Sequence, residues 1–210
     1  MISLFWSNMI HLMSYLRKRT LHLLLCLLQL FLLGQSLSAN EKAYYFADKT
    51  PVVKQSVGEL DTAISYLYVR ERSGRNDGID VEKFQRFVGI GKNTAWCAAF
   101  VSYCLYYGKA PKSIRSGRAL AFANKDMIPI EKVLRQNIPI RQGAVLVFRQ
   151  GNTPFGHVEI IYKKSNNKFY AIGGNTSGKN GVVDRDGQGV YPTIRTYQPF
   201  ARLRIIGVWQ

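Results

Sequence analysis

Cys97, His157 and Asn175 are the residues of this 210-residue chain whose types can carry out nucleophilic chemistry together. A cysteine sulfur attacks a carbonyl carbon. An imidazole takes the thiol proton and later gives one to the leaving amine, and an amide oxygen holds that imidazole in the useful tautomer. Cys97 lies in the run Thr-Ala-Trp-Cys-Ala-Ala-Phe-Val-Ser-Tyr-Cys (94–104), which reads as a helix. Asn93 or Thr94 can cap its first amides, and Gly108, just past Tyr107, is expected to close it as a left-handed residue. Cys97 then falls in the first turn, where the helix dipole and free N–H groups attract negative charge and can hold an oxyanion. Cys104, two turns along, reads as core packing, and Trp96 as packing more than substrate contact.

His157 opens a strand 60 residues after Cys97, and Asn175 ends the next strand 18 residues later. Two residues compete to orient His157. Glu159 shares its face of the strand, with Cα atoms about 7 Å apart. Asn175, across a hairpin, can sit about 5 Å away and offer a neutral oxygen. Because a cysteine–histidine ion pair needs no further charge, Asn175 is the expected orienter and Glu159 is expected at the rim.

The elements that must position these groups change character along the chain. Leu60, Ala63, Ile64 and Leu67 recur at helical spacing within 55–72; Phe84, Phe87 and Val88 mark a short helix that Asp80 can cap and Gly89 ends; a further helical segment is expected over 116–124. From Met127 onward the pattern turns to strands near 144–148, 157–162, 168–172, 190–197 and 203–209, with a hairpin turn over 163–167 and a polar loop over 176–189. Helices first and an antiparallel sheet second predicts an α+β domain.

Residues 1–39 read differently. Arg17-Lys18-Arg19, the apolar run 21–33 and the small residues ending at Ala39 follow the order of a secretory signal, too short for a membrane span. A lead-in over 40–54 and a single domain over 55–210 follow. Without the leader, His157 is the one histidine, and Cys97 and Cys104 are the two cysteines. Neither a structural metal site nor a cofactor is expected, since zinc takes four such ligands. A bridge between the cysteines is excluded, because seven helical residues separate them by roughly 10 Å. Residues 40–210 carry 26 basic against 13 acidic residues, a surplus of +13 that draws polyanions. No aromatic-basic motif of a nucleic-acid module is present, and anionic envelope polymers fit an exported protein better.

Trp-Cys-Ala-Ala-Phe-Val-Ser (96–102), Gly-His-Val-Glu (156–159) and Gly-Gly-Asn (173–175) resemble the CHAP-type cysteine, histidine-dependent amidohydrolases/peptidases, relatives of the NlpC-type wall peptidases on a papain-like fold. The resemblance implies Cys97 as nucleophile, His157 as base, Asn175 as orienting residue, and amide bonds of bacterial peptidoglycan as substrate. A monomer in the periplasm, envelope or medium is expected, without membrane insertion once the leader is removed. A binding module that has lost its chemistry and an exported toxin or general protease are the other readings.

Overall fold

The protein, as a computed structural model, is described over residues 57–177 and 187–210. The expected leader (1–39) and lead-in (40–54) lie outside the described residues, as does most of the expected polar loop, 178–186. Three helices come first: α1 (Gly58–Ser65), α2 (Ile79–Val88) and α3 (Cys97–Tyr107). A 3₁₀ turn (Ala119–Phe122) stands where a longer helical segment was expected. Then follow β1 (Met127–Pro129), α4 (Ile130–Arg135), β2 (Val145–Gln150), β3 (Gly156–Ser165), β4 (Lys168–Thr176), β5 (Gly189–Thr196) and β6 (Leu203–Trp209). The strands form one six-stranded sheet in the order β1-β6-β2-β3-β4-β5, every neighbour pair antiparallel. The architecture is α+β, as the patterning predicts. The short β1 and α4 had no visible signal.

Helix α3 is the hub. Every residue from Cys97 to Leu105 is buried, as a helix apolar on all sides must be. It lies directly on β4, because Gly174 has no side chain. A Cβ there would stand 2.7 Å from the Trp96 ring and 2.9 Å from the Phe100 Cβ. At its other end α3 meets the start of α1, where a Cβ on Gly108 would stand 2.2 Å from the Glu59 nitrogen. That close approach is why Gly108 is glycine. Its φ is −77°, so it is not the expected left-handed residue; Lys109, at φ 54°, is.

Both faces of the sheet are covered. Val158, Ile160 and Tyr162 of β3 pack with α1–α3 in the main core. Ile161 joins Leu146, Phe148, Phe169, Ile205 and Val208 beneath α4. His157 and Glu159 share strand parity with Ile161. Polar groups placed on that covered side must find partners, since an unpaired buried charge is costly. This requirement shapes the site.

Candidate active site

Cys97 is the first residue of α3, with Trp96 as N-cap. Neither Asn93 nor Thr94 caps the helix, which corrects the expected start. Asn93 takes a left-handed φ of 60°, and no side chain of the N-cap residue reaches the first turn. Cys97 keeps 5% exposure while Cys104 has none, and both thiols are free. Burial pushes the Cys104 thiol well above its ordinary value. Of the two thiols, the one at the helix start keeps some exposure.

His157 is fully buried on β3, opposite Phe148 of β2, whose ring centroid lies 5.7 Å from its own. Its Nε2 meets Glu159 Oε1 at 3.2 Å. Its Nδ1 is buried and makes no bond of regular hydrogen-bond geometry. The Cys97 sulfur nevertheless acts on the ring by charge and by a looser hydrogen-bond contact. Burial pushes the imidazole pKa down, but Cys97 and then Glu159 outweigh it and raise the value from 6.5 to about 9. The imidazolium therefore stabilises the fold fully below pH 6.5, and that contribution is lost as pH rises through about 9.

Glu159 is wholly buried and not at the rim as expected. Arg195 of β5 donates to it from Nε, 3.1 Å from both carboxylate oxygens, and from Nη2, 2.6 Å from Oε1. The Thr193 hydroxyl donates to Oε2 at 2.8 Å. Burial favours the neutral acid, yet Arg195 and then His157 overcome it and hold the carboxyl far below its usual range. Room for the carboxylate comes from the register. Glu159 pairs with Gly173, where a Cβ would stand 2.8 Å from Oε1.

Asn175 does not orient His157, against expectation. It occupies an irregular stretch of β4 where the register with β5 shifts between Gly173 and Thr176, and its φ is 55°. Irregularities of this kind re-aim side chains. Here the amide is turned to the start of α3. Its Oδ1 accepts from the Trp96 backbone N–H at 3.0 Å, and its Nδ2 donates to Gly187 O at 2.9 Å and Asn76 Oδ1 at 3.1 Å. Glu71 Oε1 accepts from the Trp96 indole at 2.9 Å and from Asn175 Nδ2 at 3.4 Å. Trp96 is fully buried and stacks on Phe84 with centroids 5.9 Å apart, so it packs at the helix start.

The structure thus brings together Cys97, His157 and Glu159, and places Asn175 behind the helix start. Reading along the sequence missed Arg195 and Thr193. One signal existed: a glutamate set among apolar residues on a strand demands a cation. Among the described residues, no group of three or more His, Cys, Asp or Glu side chains is placed to hold a metal ion.

Helices set against a six-stranded antiparallel sheet, with a cysteine opening a helix and a histidine near the start of a strand, match the papain-like α+β fold. Residues 89–175, a stretch that includes Cys97, His157, Glu159 and Asn175, match the family model of the CHAP domain. CHAP domains are usually hydrolases, amidases or peptidases of the cell wall. No curated protein and no solved structure matches the chain.

Proposed function

We propose that this chain is an exported thiol hydrolase that cleaves amide bonds of bacterial peptidoglycan, with Cys97 as nucleophile, His157 as acid and base, and Glu159 orienting His157. The observation that carries the reading is the buried imidazole held between a helix-opening sulfur and an ionised carboxylate. The Cys97 thiolate adds to the carbonyl carbon, and the oxyanion takes the free N–H groups at the start of α3. Protonated His157 gives its proton to the amide nitrogen, the C–N bond breaks, and the amine leaves. Water, losing a proton to His157, then opens the thioester, and Cys97 leaves as the thiolate beside the imidazolium, which restores the starting pair. Glu159 accepts a hydrogen bond from Nε2–H throughout, which keeps Nδ1 free for the exchange.

The leader pattern over 17–39 and the basic surplus of 40–210 support action on an anionic envelope polymer. Incubation of the protein with purified peptidoglycan, followed by mass identification of the fragments, tests this. Release dependent on Cys97 is expected, and the fragment masses assign the bond to the sugar–alanine link or the stem peptide. Cleavage of unrelated proteins with peptidoglycan untouched would favour a general protease. Binding to peptidoglycan without release would favour a module lacking chemistry.

A further inference from the structure

Arg195 and Thr193 lie beyond residue 175, where the CHAP match ends, yet both are buried against the carboxylate beside His157. We propose that Arg195 is a positioning residue of this site: acting through Glu159, it fixes the carboxylate for His157 and balances the charge of the buried set. The proposal rests on the catalytic reading of Cys97, His157 and Glu159 given above.

The geometry is specific. β4 runs between β3 and β5, with Glu159 opposite Gly173 and Thr193 opposite Ala171. Two small residues on the intervening strand let a carboxylate on one side reach a guanidinium and a hydroxyl on the other. Arg195 is 1% exposed, and its Nη2 also donates to Thr176 Oγ1 at 3.1 Å, which ties the same nitrogen to β4. Oε1 of Glu159 then serves two donors, His157 Nε2 and Arg195, while Thr193 serves Oε2.

Fold stability alone does not account for such a pair. Replacing a fully buried ion pair by apolar groups of similar volume is often neutral or stabilising. Charge balance does account for it. When the site is ready to react, it holds a thiolate, an imidazolium, a carboxylate and a guanidinium, and the sum is zero. Among the described residues, the groups facing one another include Cys97 from α3, His157 and Glu159 from β3, Thr176 from β4, and Thr193 and Arg195 from β5, while Phe148 of β2 covers the ring with an uncharged face. Without Arg195 the buried set carries a surplus negative charge. The thiolate is the anion that must form against it.

The test reads the rate of Cys97 alkylation by iodoacetamide against pH in the full chain, with peptide mapping to separate Cys97 from Cys104 and Cys26. Arg195→Gln is expected to move the acid limb of the profile upward by about one pH unit. Arg195→Lys, which keeps the charge and loses the fork, is expected to leave the limb near its original position. Glu159→Gln/Arg195→Gln, which removes both charges, is expected to return it there. A folded Arg195→Gln protein with a lower rate and an unmoved limb would overturn the proposal, because a merely structural arginine behaves that way. If Arg195→Gln does not fold, the comparison of Glu159→Gln with the double variant decides: limbs that coincide overturn the proposal, and a limb about one unit higher in the double variant supports it. Failure of the underlying reading looks different. There, His157→Ala leaves the Cys97 profile unchanged, whatever Arg195 does.

Discussion

Two buried polar networks flank the pair of Cys97 and His157, and they are made differently. The one behind His157 is charged, with Glu159, Arg195 and Thr193 held across three strands. The one behind Cys97 centres on an amide, with Asn175 tying the Trp96 backbone to Asn76, Gly187 and Glu71. A charged network can change the protonation of its neighbour: Cys97 first and then Glu159 of this network raise His157 to about 9. The amide at the centre of the other network has no proton to move. It sets where the helix begins, and so where the sulfur stands. The same fold thus separates the control of charge from the control of position.

Substitutions can break this division, beginning with the pair itself. Cys97→Ala is expected to bring hydrolysis to background, since no other group can form the acyl intermediate. Glu159→Gln should cost roughly 10²- to 10⁴-fold in kcat, as loss of an orienting carboxylate does in related chemistry. Asn175→Ala should cost less in rate, about tenfold or under, and more in stability, about 1–3 kcal/mol, because the Trp96 N–H and the Gly187 carbonyl lose a buried partner. Rates of hydrolysis and thermal melts of the same preparations separate the two effects. An Asn175→Ala protein that is folded yet slower than Glu159→Gln would restore Asn175 as the orienting residue. Cys104→Ala comes last. Activity should persist, with about 1 kcal/mol lost from the core, as a denaturant titration would read.

Much of this was legible along the chain, for physical reasons. The order of helices and strands, the helix that presents Cys97 and the strand parity linking His157 with Glu159 all follow from local periodicity. The register between strands does not. That Gly173 faces Glu159, and that Thr193 and Arg195 close on it across β4, depends on pairings that no single strand encodes. Gly-Gly-Asn (173–175) reads as turn chemistry, but the two glycines make room for Glu159 and for Trp96, and Asn175 continues β4 with a left-handed φ of 55°. Gly108 misled similarly. Its role is to let α1 pass, which only the packed structure reveals.

The claim at the centre is that Cys97, His157 and Glu159 act as one charged unit, and the proton on His157 reports it directly. Histidine-labelled protein followed by nitrogen NMR across pH 4–11 reads that proton without any substrate. His157 is expected to stay protonated until about pH 9. Cys97→Ala should lower that value most, Glu159→Gln should lower it less, and Asn175→Ala should leave it in place. A His157 that titrates near 6.5 in the unaltered protein, indifferent to Cys97 and Glu159, would contradict the account.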